Sequence, residues 1–266
     1  MASLSVDKLQ EGLRTKLLGN RIFVSRVVAS TNDWAEELAS FGAEEGTITI
    51  AETQTGGKGR LGRQWVSPKG GLYFSVVLKP KVKPAEAVGL VFVAGLAVAG
   101  VLREAYCLRV ETKWPNDVLV DGKKVCGVLS EMNSTGNTVN FIVLGVGLNA
   151  NFVVEETLPE ELWEKTISIE VALGRRVRLE ELFRALVEKL EAVYDRFLKE
   201  GLSVILEEWK SYADFLGKEV EVRVDSEKFV GLALDVDGEG ALVVKLKDGT
   251  VKRVFVGDVS LRVNSL

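Results

Sequence analysis

The chain has 266 residues, of which 47% are hydrophobic and 27% charged, with a formal net charge of −4 and no histidine. This is the composition of an ordinary globular protein of one or two domains, and its acidic balance speaks against broad nucleic-acid binding, which draws on a basic face. The lack of histidine removes imidazole bases, Ser-His dyads and His-ligated zinc together, leaving Lys, Arg, Asp, Asn and backbone donors to act by positioning and charge.

The two cysteines, Cys107 and Cys126, form no metal-spaced pair. Residues 1–20 are polar and amphipathic, without the apolar core of a signal peptide, so the cytoplasm is the expected compartment. Ser30-Thr31-Asn32-Asp33 opens a helix that runs to Phe41 and stops at Gly42, and Ser30 with Asp33 fits a capping box. A short β-branched strand, Thr47 to Ala51, comes next.

The segment Glu52 to Trp65 follows, with four glycines set among Lys58, Arg60 and Arg63. Glycines let backbone N–H groups approach an anion, the cations neutralise it, and the Trp65 indole offers a face for an aromatic base. Gly57 to Gly62 spells the dinucleotide fingerprint, but that motif needs a helix directly after it. Gln64 to Gly71 is turn-forming and Leu72 to Leu78 reads as a strand, so the loop joins two strands. No Gly-Lys-Ser/Thr closes the run, which excludes a P-loop.

An apolar helix is expected from about Ala85 to Ala105. Its uncharged stretch, Ala87 to Leu102, has 16 residues, short of the roughly 20 that span a bilayer. Short strands follow at Leu108–Thr112 and Val118–Val120, with a tight Asp121-Gly122 turn after them. Between these strands, Lys113-Trp114-Pro115-Asn116-Asp117 packs a cation, an amide and a carboxylate into five residues, although the same residues also suit a type I turn.

Lys124 stands at the start of an apolar strand, where a lysine is half desolvated or snorkels to solvent. Gly127 leaves room for a ligand, and Cys126 reads as a small buried filler. Phe141 to Val146 is a buried strand ending in Gly145-Val146-Gly147-Leu148-Asn149. A long amphipathic helix from Leu179 to Leu198 stops at Gly201. From about Leu216, alternating strands at Glu219–Val224, Phe229–Asp237 and Leu242–Lys247 suggest a small β-barrel, packed on the main domain or gripping a macromolecular substrate.

Taken in order, the glycine–cation loop, Lys-Trp-Pro-Asn-Asp, Lys-x-x-Gly-x-Leu-x-Glu and Gly-Val-Gly-x-Asn resemble the catalytic domain of biotin protein ligases, with Ser-Thr-Asn ahead of them. The resemblance runs from about Arg21 to the C-terminus, where the barrel is similar to that family's SH3-like domain. It implies a mixed-sheet α/β (α+β) catalytic domain over 21–215, an SH3-like barrel over 216–266 and a helical lead over 1–20. It also implies a two-step reaction: ATP and Mg²⁺ convert biotin to biotinyl-5′-AMP, and a lysine of a biotin carboxyl carrier protein domain then takes the biotinyl group.

By the same resemblance, Ser30, Thr31, Asn32 and Gln54 surround the ureido ring, whose recognition suits neutral donors and acceptors. Lys58, Gly59 and Arg60 close over biotin and the phosphates, with Arg63 adding charge. Trp65 stacks on adenine and Asn149 helps place the nucleotide. Lys113, Asn116 and Asp117 lie beside the adenylate, and Lys124 approaches the reacting carboxyl oxygen. Asp117 guides the incoming lysine or holds magnesium. The catalytic set is therefore Lys124, Arg60, Lys113 and Asp117, with the metal ligands unassigned.

Lys58 and Leu61 stand where relatives often carry arginine. The roughly 20 residues ahead of the catalytic start are too few for the winged helix of repressor-type relatives, so DNA binding is not expected, nor is a membrane. Relatives occur as monomers and homodimers, and both stay open. Two rivals are a lipoate or octanoate ligase of the same superfamily and a non-catalytic sensor of biotin or biotinyl-adenylate. The motif set favours biotin over the first, and retention of Lys124, Lys113 and Arg60 counts against the second.

Overall fold

The computed structural model describes residues 4–224 and 227–261, so residues 1–3 of the expected lead and 225–226 and 262–266 of the expected barrel lie outside it. The strands of the main domain are β1 (Ile22–Val28), β2 (Ile48–Gln54), β3 (Leu72–Leu78), β4 (Val110–Lys113), β5 (Asp117–Val120), β6 (Lys123–Thr135) and β7 (Thr138–Leu148). Its helices are α1 (Val6–Gln10), α2 (Thr31–Ser40), α3 (Pro84–Ala87), α4 (Leu90–Tyr106), α5 (Val154–Thr157), α6 (Ile169–Leu173), α7 (Leu179–Glu200) and α8 (Leu202–Lys210). A second unit holds β8 (Glu219–Val224), β9 (Glu227–Val236), β10 (Leu242–Leu246), β11 (Val251–Val254) and β12 (Asp258–Leu261).

The first seven strands form one sheet in the order β1-β2-β3-β7-β6-β5-β4, parallel between β1 and β2 and antiparallel elsewhere. Strand parity divides its two faces. Phe74, Val76 and Leu78 of β3, with Ile142, Leu144 and Val146 of β7, point into the main core beneath α4 and α7. Val77, Phe141 and Val143 point the other way and pack under Ala35 and Ala39 of α2. Farther along β7 that second face continues as Gly145 and Gly147, so bulky residues under α2 give way to bare backbone beside it. The site lies on this uncovered half of the sheet.

The apolar segment Pro84–Tyr106 is long and apolar enough to cross a membrane by length and composition, and 78% of its most apolar window is buried inside the protein. The expected single helix is broken into α3 and α4 near Gly89, where an added Cβ would lie 2.7 Å from Leu202. Cys107 ends α4 in the left-handed region (φ 54°), which delays the next strand to Val110. The Trp114–Pro115 peptide, in the turn that joins β4 to β5, is cis. The Asp121-Gly122 turn has positive φ at both residues, as a two-residue hairpin requires.

The C-terminal strands form an antiparallel sheet in the order β11-β10-β9-β8-β12. It is pinned to the main domain by buried Trp114, whose Nε1 donates to the Gly240 carbonyl at 3.0 Å.

Candidate active site

One row of paired residues crosses the bare half of the sheet: Tyr73 of β3, Gly147 of β7, Gly127 of β6, Asp117 of β5 and Lys113 of β4. Two adjacent glycines in the middle of that row open a floor, with a carboxylate and an ammonium group at its end. A cavity of about 590 Å³ stands over it, walled by the Gly56–Gln64 loop, the Leu158–Thr166 segment and the Asp258–Ser260 end of the C-terminal sheet.

Lys124 reaches this floor because of a register shift. Val118 pairs with Cys126 but Leu119 pairs with Lys124, so Val125 is an extra residue on β6. A bulge of this kind re-aims the side chains beyond it. Without it, Lys124 would share the core face of Cys126 and Val128. Lys124 Nζ instead lies 2.7 Å from buried Asp117 Oδ1, an ion pair without aligned hydrogen-bond geometry, and 5.2 Å from the Trp65 ring centre. Cys126 is fully buried, and desolvation pushes its thiol far up, so it is no nucleophile.

Trp65 lies across both floor glycines. A Cβ on Gly147 would come within 2.6 Å of the indole nitrogen, and one on Gly127 within 2.9 Å of the ring. The indole N–H is buried and has no hydrogen-bond partner among the described residues.

At the other end, the N-terminus of α2 gathers neutral polar groups. Ser30 Oγ accepts from the Asp33 N–H, the local half of the expected capping box, while the Asp33 carboxylate pairs with Lys58. Gln54 Oε1 accepts from the Thr31 N–H at 2.7 Å, and Gln54 Nε2 donates to Ser67 Oγ at 2.8 Å. Ser75 Oγ lies 2.6 Å from Asn32 Oδ1 and 2.8 Å from Thr31 Oγ1. Asn32 Nδ2 donates to Glu131 Oε2 at 2.7 Å. A Cβ at Gly145 would sit 2.0 Å from Asn32 Oδ1, so only glycine lets this amide lie on the strand.

The loop cations divide. Lys58 is engaged by Asp33 and lies 3.9 Å from Glu131, and the Asp33 contact raises its pKa. Arg60 is mostly buried: it donates to Asn116 Oδ1 at 3.3 Å and to the Gly257 carbonyl at 3.1 Å, and desolvation lowers its pKa against the pull of Asp258. Arg63 is largely exposed and pairs with Asp258. Asn116 in turn donates to the Val128 carbonyl at 2.6 Å. Lys113 lines the cavity without an ion pair among the described residues.

The family models that match are the Biotin/lipoate A/B protein ligase family over residues 24–149 and the Biotin protein ligase C terminal domain over residues 215–262. A biotin–[acetyl-CoA-carboxylase] ligase of Mycobacterium tuberculosis is 32% identical over 262 residues, covering 94% of each chain. This chain belongs to the biotin protein ligase family. The bifunctional ligase/repressor BirA of Bacillus subtilis is 32% identical over 259 residues, 97% of this chain and 79% of that one. Among solved structures, the biotin protein ligase of Aquifex aeolicus in complex with biotin and ATP superposes with a TM-score of 0.77. It is 29% identical and covers 91% of this chain and 99% of that one.

Every residue to which the resemblance gives a binding or catalytic role lines the cavity of this ligase-family fold: Ser30, Thr31, Asn32, Gln54, Lys58, Gly59, Arg60, Arg63, Trp65, Lys113, Asn116, Asp117, Lys124 and Asn149. Asn149 also serves the fold, since its Nδ2 donates to the Ile167 carbonyl at 3.2 Å and braces the Leu158–Thr166 wall against β6. That wall, Asp258, Ser67 at Gln54 and Ser75 at Asn32 escaped sequence reasoning. Ser75 carried a usable signal, as a hydroxyl at a fully buried position of an apolar strand.

Proposed function

We propose that this chain is a biotin protein ligase that makes biotinyl-5′-AMP from biotin and ATP and passes the biotinyl group to a lysine of a biotin carboxyl carrier domain. The observation that carries the reading is the gradient along one cavity. Thr31, Asn32 and Gln54 supply neutral donors and acceptors at one end, and Lys124, Lys113, Arg60 and Arg63 supply positive charge at the other. A ureido ring on a carboxylate-bearing chain, set against a nucleotide polyphosphate, needs that pairing. The bare dithiolane or alkyl chain of lipoate or octanoate would leave the polar end buried and unpaired, which is costly.

In the first step a biotin carboxylate oxygen attacks the α-phosphorus and pyrophosphate leaves. Two anions meet, so the cations must screen their repulsion. Lys124, held by Asp117, is assigned to the reacting oxygens, and Arg60 with Arg63 to the phosphates, under a glycine-rich lid. Trp65, resting on the glycine floor, is assigned to the adenine face. In the second step the carrier lysine nitrogen attacks the acyl carbon and AMP leaves.

No group of three or more His, Cys, Asp or Glu side chains able to hold a metal occurs among the described residues. Magnesium is assigned to the ATP phosphates that it accompanies, and none of the steps assigned to side chains runs through it. The cytoplasm, where ATP and carboxylases meet, is the proposed setting.

ATP-dependent transfer of labelled biotin to a purified carrier domain tests the reading, with lipoate in parallel. Biotin-specific labelling is expected. Tight biotin binding without transfer would leave only a sensor.

A further inference from the structure

Lys58 and Arg60 stand two residues apart on the glycine-rich loop, yet their side chains go to different ends of the cavity. Arg60 donates to Asn116 and to the Gly257 carbonyl. Lys58 Nζ donates to Asp33 Oδ1, on the first turn of α2, and lies 3.9 Å from Glu131 Oε1 on β6. The other Glu131 oxygen accepts from Asn32 Nδ2 at 2.7 Å, so one carboxylate faces both the loop and the neutral polar end of the cavity.

The loop that carries Lys58 is a short hairpin. The Trp65 N–H donates to the Gly57 carbonyl at 2.8 Å and the Gly59 N–H to the Arg63 carbonyl at 2.7 Å, and Lys58 pairs with Gln64 between these rungs. Arg60 and Arg63 fasten its far part to the C-terminal sheet. Lys58 ties its near strand to α2 and β6.

Charge argues against a phosphate role for this lysine. Two carboxylates face the one ammonium group, Glu36 adds to their field, and the Asp33 contact raises the lysine pKa. A polyphosphate brought to that cluster would meet more negative than positive charge. Lys58 lines the cavity while neither Asp33 nor Glu131 is among its lining residues, which draws the ammonium group to the rim.

We propose that Lys58 is a positioning residue that latches the glycine loop over the biotin end of the cavity through Asp33 and Glu131, and that it is not a phosphate ligand. The proposal rests on the biotin reading above. A loop containing Gly56, Gly57, Gly59 and Gly62 is costly to order, and fixing it beforehand removes that cost from ligand binding. Without the latch biotin leaves sooner, while Arg60 and Arg63 stay fastened at the phosphate end.

The test uses the full chain with Lys58→Met or Asp33→Asn. All three side chains of the latch are partly exposed, so the unfolding midpoints should stay close to the parent's. Bound labelled biotin is chased with unlabelled biotin, and its release is expected to be about three- to fivefold faster in Lys58→Met, the range open to an exposed charge pair. Asp33→Asn should speed release by a smaller factor, because Glu131 still attracts the ammonium group. ATP KM at saturating biotin, read by pyrophosphate release, should stay within about 1.5-fold of the parent in both variants. The two roles part most clearly at Asp33→Asn: a phosphate-binding lysine would be freed by that change, and ATP KM would fall.

Unchanged biotin release in either variant, a raised ATP KM in Lys58→Met, or a lowered ATP KM in Asp33→Asn would each overturn the latch. A parent chain that binds no biotin would overturn the ligase reading itself. Biotin release reads the latch even in a chain that does not turn over, so the two failures are distinct.

Discussion

Lys124 Nζ and Asp117 Oδ1 stand 2.7 Å apart at the edge of the glycine floor, brought together by a one-residue bulge in β6. The carboxylate is mostly buried, with 17% of its side chain exposed, so it both holds the ammonium group in place and depends on it. Lys124→Ala is expected to lower kcat/KM for biotinyl-adenylate formation by about 10²–10³-fold, the scale of one lost charge-stabilising contact. Asp117→Asn should give a smaller loss, because the lysine stays but is no longer aimed. Pyrophosphate release in single turnovers reads both variants, and an Asp117→Asn rate equal to the parent's would refute the aiming role.

Gly147 makes room rather than a turn: the structure shows no positive φ there, and an added Cβ would meet the Trp65 indole at 2.6 Å. Gly147→Ala should therefore lift the indole from the floor at an overpacking cost of about 1–3 kcal/mol. The expected results are a shifted tryptophan emission and a raised KM for ATP, with far-UV circular dichroism unchanged. If emission and KM both stay at parental values, the indole does not rest where described.

The glycine-rich loop is fastened at its far end to the C-terminal sheet through Arg63–Asp258 and Arg60–Gly257. An exposed ion pair adds little global stability, typically about 0–1 kcal/mol. Asp258→Ala should thus leave the unfolding midpoint almost unmoved while freeing the loop. Trypsin should then cut after Lys58, Arg60 or Arg63 faster than in the parent chain, and biotin with ATP should slow that cleavage in both. Equal cleavage rates without ligand would show that Asp258 does not hold the loop.

Legibility from sequence followed the range of each interaction. The α2 cap, the glycine–cation loop and the Gly145–Gly147 segment were readable because their signals lie within a few residues of each other. Strand parity then sets Gly127, Leu129 and Glu131 on one face. The bulge at Val125 was not readable, since it shows only in the pairing of β5 with β6. The Arg60–Gly257 contact spans 197 residues and leaves no local trace. Strand β1 was missed because it is a sheet edge whose burial does not alternate. Helix α8 was missed because Gly201, read as a stop, also serves as its N-cap.

Glu191 separates fold from chemistry. It is a buried carboxylate on α7, outside the cavity lining, and it accepts from the backbone N–H groups of Lys16, Leu17 and Leu18 at 2.7, 2.8 and 2.7 Å. These three bonds clamp the segment after α1 onto the helix beneath the core. Glu191→Ala would leave the donors without their acceptor, and a destabilisation of about 2–4 kcal/mol is expected from buried N–H groups left unpaired. Glu191→Gln keeps one carbonyl oxygen and should fall between the parent and Glu191→Ala. Urea unfolding reads the effect as a lower midpoint at unchanged slope. Carrier labelling at low temperature should stay near the parental rate in both variants, because nothing at the Lys124 end of the cavity has moved. A Glu191→Ala chain as stable as the parent would mean that water replaces the carboxylate without cost.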